Sequence, residues 1–293
     1  VTSYIAIDWG STNLRAWHYA NGVCQETRRS EAGVTRLQGK TPAEVFASVT
    51  EGWPVDALPV VMAGMVGSNA GWLNVPYLAC PVSLKAIAAR LVRVEDKAWI
   101  VPGLSLDRAG NQNVMRGEET QLIGAVELAP ANHYVMPGTH AKWVKAEGDI
   151  IVDFRTLMTG ELHHILMNHS LIGMGLPAQQ EDEAAFQQGL ETGANDMSLL
   201  ARLFEVRAAH LLGVRRRESV SDFLSGLLIG HEAALMSATF LAGDAEPLTV
   251  IAGSSLAERY LKALRFTGLR AQLLEGDTAF QHGIRSIADE LEY

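Results

Sequence analysis

The sequence predicts an α/β protein made of two copies of one domain, and three observations carry that expectation. A strand, a glycine turn and a second strand open the chain over residues 4–19, and the same order returns over residues 134–154. The spacing Trp17-x-x-Ala20-x-Gly22 recurs as Trp143-x-x-Ala146-x-Gly148, at the same place after each turn. Glycine-bearing turns follow apolar strands at residues 8–12, 137–140 and 252–255. On this reading one lobe spans residues 1–129 and the other residues 130–293.

Taken in order, the opening hairpin is followed by a third strand over 23–32. A helix is capped by Thr41, with Pro42 at its first position and Glu44 in its first turn. A short buried strand at 59–63 runs into the glycine-rich loop 64–72, another strand covers 98–101, and a helix with its acids in the first turn spans 118–128. In the second copy, strands at 134–143 and 150–154 precede helices at 161–171, 181–189, 197–212 and 219–241. Gly173 is expected just beyond the first of these helices as its C′ residue. The chain then reads as a strand at 248–252, a helix at 256–264, a strand at 271–274 and a helix from 278.

With 293 residues and 48% hydrophobic content the chain buries a large core. A formal charge of −9 argues against a phosphate-backbone binder, because affinity for nucleic acid comes from clustered Lys and Arg. Cys24 and Cys80 lack a C-x-x-C spacing, which favours free thiols in a reducing compartment. The first residues read as a strand rather than a secretory leader. The most apolar helical stretch, 223–241, is broken by Ser225, Gly226, Gly230, His231 and Glu232, too polar for lipid. The expectation is therefore a cytoplasmic protein without membrane or nucleic-acid partners, with a homodimer as the default assembly.

Two motifs are decoys. Gly33 to Lys40 looks like a phosphate loop but has five residues between its glycines where four are needed. Gly173-Met-Gly175 mimics a dinucleotide fingerprint, yet it follows a helix and Pro177 lies where a helix should open. His163, His164 and His169 share one expected helix without metal-ligand spacing, so packing or surface roles are the better reading. At the first hairpin tip, Asp8 can order a hydrated Mg²⁺ while glycine lets the backbone approach phosphoryl oxygens. The competing reading is an ordinary Asp/Gly/Ser turn.

In this order, the three glycine-bearing turns fit the layout of the actin/Hsp70/sugar-kinase superfamily. Within it, the stretches IAIDWGSTNLRAW, VMAGMVGSNAGW, NVMRGEETQLIGA, YVMPGTHAKWV, DFRTLMTGELHH and GDTAFQHGIRSIA resemble the bacterial 2-dehydro-3-deoxygalactonokinase family along essentially the whole chain. The resemblance implies two duplicated ribonuclease-H-like, actin-like ATPase domains with a nucleotide cleft between them. It further implies ATP- and Mg²⁺-dependent phosphorylation of the terminal 6-hydroxyl of 2-dehydro-3-deoxy-D-galactonate, in cytoplasmic galactonate breakdown. A kinase of another sugar or sugar acid, or an actin-like nucleotide switch, is the alternative.

Carried over by position, Asp8 would hold Mg²⁺ through water, Gly10, Ser11, Thr12, Gly138 and Thr139 would line the phosphates, and Gly253 and Ser254 would sit at the adenosine. Related kinases carry the catalytic base in a Gly-Asp pair, and the comparable site here reads Gly117-Glu118-Glu119. Glu118 is the first candidate base, Glu119 the second and Asp153 a weaker third; the alternative is that both glutamates merely stabilise a helix end. An acidic substrate asks for a local cation, and Arg15, Arg36, Arg116, Lys142 and Arg155 are candidates, with Arg116 preferred beside Gly117. His140 lies in the second turn with them. Ser68 and Asn69, in the 64–72 loop, are expected to read substrate hydroxyls, against the plainer reading of a connecting loop.

Overall fold

The computed structural model describes residues 2–244 and 247–291. In chain order its elements are β1 (Tyr4–Trp9), β2 (Leu14–Ala20), β3 (Val23–Ser30), α1 (Pro42–Val49), β4 (Val60–Ala63), β5 (Leu78–Ala79), β6 (Val82–Ser83), β7 (Val92–Glu95), β8 (Ala98–Ile100), β9 (Leu104–Arg108), β10 (Asn111–Met115) and α2 (Glu118–Leu128). There follow β11 (His133–Met136), β12 (Ala141–Glu147), β13 (Ile150–Leu157), α3 (Thr159–His169), α4 (Glu183–Asn195), α5 (Leu199–Leu211), α6 (Val220–Met236), β14 (Leu248–Ala252), α7 (Ser254–Phe266), β15 (Ala271–Glu275) and α8 (Gly276–Asp289). Two compact units result: Val1–Pro130 with Lys145–Phe154 and Gly276–Tyr293, and Ala131–Val144 with Arg155–Glu275. The closing helix α8, placed with the C-terminal lobe by sequence, thus belongs with the first unit.

In the first unit the sheet order is β3-β2-β1-β4-β8-β7. Strand β1 pairs antiparallel with β2 and parallel with β4, and its apolar run is covered on both faces, as a central strand with a parallel neighbour requires. The other six-stranded sheet runs β6-β13-β12-β11-β14-β15, with β11, β14 and β15 parallel. Three hairpin-connected strands followed by parallel additions occur in the same order in both sheets, so the duplication inferred from the tryptophan–alanine–glycine spacing is a property of the fold.

Helix α1 starts at a capping box: Thr41 Oγ1 accepts from Glu44 N at 3.2 Å, and Glu44 Oε2 accepts from Thr41 N at 2.7 Å. Helices α2 and α8 pack through small residues, since a Cβ on Gly124 would meet the Ala279 carbonyl and one on Gly283 the Thr120 carbonyl. Trp17 lies against Phe280, closing α8 onto β2. In the second unit, Gly189 and Gly193 of α4 interlock with Gly226 and Gly230 of α6; a Cβ at any of the four would collide with the facing helix backbone. The stretch Arg217–Leu241 has the length and hydropathy of a membrane span, but α6 buries its apolar residues against α4 inside this unit, as a core helix does.

Several boundaries differ from expectation. Helix α4 extends to Asn195 where the sequence suggested an end at 189, because its glycines serve α6 rather than stopping the helix. Helix α3 ends at His169, so Gly173 is not its C′ residue but packs under the Met167 carbonyl. The strands between residues 78 and 115 other than β8 lack a clear period and were not anticipated; β5 and β6 are two residues long, and β9 and β10 form an antiparallel pair.

Candidate active site

At the end of β1, Asp8 and Arg15 face each other in the hairpin register. Arg15 Nη2 donates to Asp8 Oδ2 at 2.8 Å, and its Nη1 donates to Asp277 at the start of α8. A cation held between two carboxylates is not free to read a substrate carboxylate, which overturns the reading of Arg15 as substrate-binding. The Asp8 side chain is 28% exposed. The surrounding protein still pushes its carboxyl above the usual range by excluding solvent, while Arg15 opposes the shift, and the salt bridge identifies the ionised form.

The hairpin tip is stitched down by its carbonyls. Val34 N donates to Gly10 O at 3.0 Å, Thr35 N to Ser11 O at 2.9 Å and Gly33 N to Thr12 O at 3.2 Å. Gly33, part of the decoy loop, has its real role here: a Cβ would strike the Ser11 carbonyl. With the carbonyls occupied, the N–H groups of Ser11 and Thr12 have no acceptor among the described residues and are open to solvent. Together with Asp8, Arg15 and Arg29 they line a cavity of about 600 Å³.

Strand β4 ends beside β1, with Ala63 opposite Asp8. The chain then turns through Gly64 at φ 98°, where a Cβ would sit 2.8 Å from the Trp9 carbonyl and 3.6 Å from Asp8 Oδ1. Gly117, at φ 110°, approaches Gly64 so closely that its own Cβ would lie 3.4 Å from Gly64 Cα. The start of α2 is thereby brought to Asp8 over a floor of two glycines. The two glutamates there differ. Glu119 is fully buried, and Gly117 N donates to its Oε2 at 2.7 Å; burial, followed by the charge of Glu118, pushes its carboxyl up to about 8. Glu118 is partly exposed, with Arg116 N donating to its Oε2 at 3.1 Å. Glu119 thus caps the backbone at the start of α2, and Glu118 is the more exposed of the two carboxyls.

Arg116 stacks on Tyr77, 4.3 Å from the ring centroid, and donates through Nη2 to Val75 O at 2.7 Å. Its Nε and Nη1 are buried without a partner, leaving part of a guanidinium unsatisfied. Ser68 is not a hydroxyl reader: it is buried, its Oγ donates to Met65 O at 2.7 Å and accepts from Ala70 N at 3.3 Å, and it shapes the loop. Asn69 is exposed. Asp153 accepts from Asn111 Nδ2 at 2.9 Å, a structural bond to β10.

In the second unit the turn after β11 carries Gly138, Thr139 and His140. The first turn of α3 clamps it: Glu161 N donates to Thr139 O at 3.0 Å, Glu161 Oε2 meets His140 Nε2 at 2.6 Å, and Gly160 leaves no room for a Cβ beside Gly138 O. His140 is thus engaged by Glu161. Lys142 is 5% exposed and its Nζ donates to Thr156 Oγ1 at 2.8 Å, so this lysine is internal and not a surface reader of a carboxylate. Arg155 stacks near Phe240, and Arg36 lines a separate cavity beside α1.

Gly253 and Ser254 open α7 at the end of β14, which is parallel to β11. A Cβ at Gly138 or Gly253 would meet nothing within 4 Å, so packing does not require glycine at either place, whereas close approach of a ligand to the backbone would. Gly138, Thr139, Thr159, Ile229, Leu256 and Tyr260 contribute to a cavity of about 420 Å³. Behind it Glu232, buried in α6, accepts from Trp143 Nε1 at 2.8 Å, Thr159 Oγ1 at 2.7 Å and Tyr260 OH at 2.6 Å. Sequence reasoning passed over Glu232, although an acid inside an apolar helix was the available signal.

Twin sheets with glycine turns at the ends of β1, β11 and β14 define the actin-like class of folds. An activator of 2-hydroxyisocaproyl-CoA dehydratase from Clostridium difficile, solved with bound ADPNP, shares that fold with TM-score 0.56 at 13% identity, over 98% of this chain and 95% of that one. The chain belongs to the 2-keto-3-deoxy-galactonokinase family, whose profile matches residues 8–287. It is 58% identical over 285 residues to 2-dehydro-3-deoxygalactonokinase of Escherichia coli (strain K12), covering 97% of each. A solved structure from Sinorhizobium meliloti that carries the same family name superposes with TM-score 0.89 at 30% identity, over 97% of this chain and 98% of that one.

Proposed function

We propose that this protein is an ATP-dependent kinase that phosphorylates the terminal 6-hydroxyl of 2-dehydro-3-deoxy-D-galactonate, acting in the cytoplasm in galactonate catabolism. One observation carries the residue assignment: Gly64 and Gly117 bring the start of α2, and with it Glu118, to the strand end that holds Asp8.

On this reading the free N–H groups of Ser11 and Thr12 hold phosphoryl oxygens, and Gly10 keeps the backbone accessible. The Gly138–Thr139 turn serves the phosphates from the second unit, and Gly253 and Ser254 serve the adenosine. The residues fit Mg²⁺: the Asp8 carboxylate at the end of β1, lining the cavity with Ser11 and Thr12, suits an ion that arrives on a nucleotide and keeps most of its waters. Bound there, the ion would neutralise charge on the transferred group.

Glu118 orients the acceptor hydroxyl and takes its proton, a role that asks more for position than for basicity. Arg116, part-exposed beside Gly117, is the candidate cation for the substrate carboxylate, its buried Nε and Nη1 becoming available only if the loop around them moves, and Asn69 at the surface of the 64–72 loop supplies a polar contact. Arg15 holds Asp8 in place. A coupled assay with ATP, Mg²⁺ and the keto-deoxy acid tests the assignment: Glu118→Gln is expected to lower turnover by about two to three orders of magnitude, and Glu119→Gln by less than about tenfold. The reverse ranking would move the base to Glu119, and no ADP formation by the unaltered protein would refute the activity.

A further inference from the structure

Glu232 lies outside every role assigned above. It sits in the middle of α6, is 1% exposed, and its carboxylate gathers one donor from β12, one from α3 and one from α7. Such a group is costly to bury unless it does something that a leucine at the same place would not do. Here all three partners are neutral, so the carboxyl is held by hydrogen bonds alone, with Oε1 on Trp143 and Oε2 shared by Thr159 and Tyr260.

The partners determine what the carboxylate controls. Thr159 is the first residue of α3 and lines the 420 Å³ cavity together with Gly138, Thr139 and Tyr260. The residues just after it, Gly160 and Glu161, are those pressed against the Gly138–Thr139 turn. Trp143 lies three residues beyond His140, in the strand that leaves the same turn. Fixing Thr159 and Trp143 to one buried carboxylate therefore fixes the turn from both sides. Burial pushes the Glu232 carboxyl above the usual range, and the hydrogen bonds from Tyr260, Thr159 and Trp143 oppose that shift.

We propose that Glu232 is a positioning residue for nucleotide binding: it holds the Gly138–Thr139 turn through its hydrogen bonds with Thr159 and Trp143. The inference rests on the reading of that turn as a phosphate site. It goes further in naming a residue that touches no ligand yet governs affinity for one substrate of two.

The test is steady-state kinetics with each substrate varied in turn, together with direct calorimetric titration of ATP, on Glu232→Gln and on Trp143→Phe. Gln keeps the shape but offers a single acceptor oxygen and adds donors, so it sets Thr159 and Tyr260 in conflict. It is expected to raise KM and Kd for ATP by about tenfold, the worth of one buried hydrogen bond, while KM for the sugar acid stays within about twofold. Trp143→Phe removes a donor on the side away from the cavity and is expected to shift ATP affinity in the same direction by a smaller factor. It also serves if the Gln variant does not fold.

Unchanged ATP affinity in either folded variant, or equal losses for both substrates, would overturn the proposal while leaving the kinase reading intact. Failure of the unaltered protein to bind ATP would instead remove the reading on which it rests.

Discussion

The two hairpin turns occupy the same place in duplicated sheets, yet they are held by opposite means. In the first unit a cation, Arg15, stands between the carboxylates of Asp8 and Asp277, with side chains 27%, 28% and 39% exposed. In the second unit a buried carboxyl, Glu232, stands among three neutral partners and is shut away from solvent. The first arrangement can exchange partners, since a half-solvated ion pair is worth little in water and a divalent ion can compete for Asp8. The second cannot exchange partners without leaving a buried polar group unsatisfied. The two turns are similar, and they differ in how they are anchored: one by a part-exposed ion pair, the other by a buried hydrogen-bond network.

Substitutions can break that contrast. The largest effect is expected from Asp8→Asn, which keeps the shape but removes the charge: turnover should fall by about two to four orders of magnitude in a coupled assay, with little change in melting temperature. Next comes Gly160→Val, whose side chain would push the Gly138–Thr139 turn from the backbone it touches. A displacement of roughly an ångström at a positioning site costs up to about a hundredfold, and the loss should appear as a raised KM for ATP.

A smaller effect separates Glu119 from its neighbours. Its folded carboxyl is raised from 4.5 to about 8, so the protonated form is favoured by folding. Its contribution is complete below pH 4.5 and is lost as pH rises towards 8. Urea unfolding of Glu119→Gln should therefore show the variant gaining on the unaltered protein between pH 5 and pH 8. An equal gap at both values would mean that Glu119 is ionised in the fold. The smallest effect is expected from Arg15→Gln, a change of about 1 kcal/mol in stability that shrinks in high salt, because its partners are part-exposed.

What the sequence revealed follows the range of the forces involved. Helix α2 and strand β14 were legible to the residue, because an acid-rich first turn and an uninterrupted apolar run are local signals. The strand-end positions of Asp8, Gly138 and Gly253 were legible for the same reason. The fate of Arg15 was not: its second partner, Asp277, lies 262 residues away, and nothing near Arg15 announces it. Lys142 and Ser68 looked like surface groups because lysine and serine usually are, and only the folded neighbours Thr156 and Met65 show otherwise. Glu232 had been weighed as evidence against a membrane helix. The same oddity, a carboxyl in an apolar stretch, marks an acid that bonds Thr159 and Tyr260 of the second unit's cavity from behind.

The contact between Gly124 and Ala279 also bears on the order in which the molecule can be made. The first unit draws its last helix from beyond the entire second unit, and Trp17 and the face of α2 stay uncovered until that helix arrives. On a ribosome, the residues of the second unit are all available for folding before the first unit can be completed. The N-terminal hairpin that holds Asp8 is therefore synthesised first and gains Asp277, the second carboxylate on Arg15, only near the end.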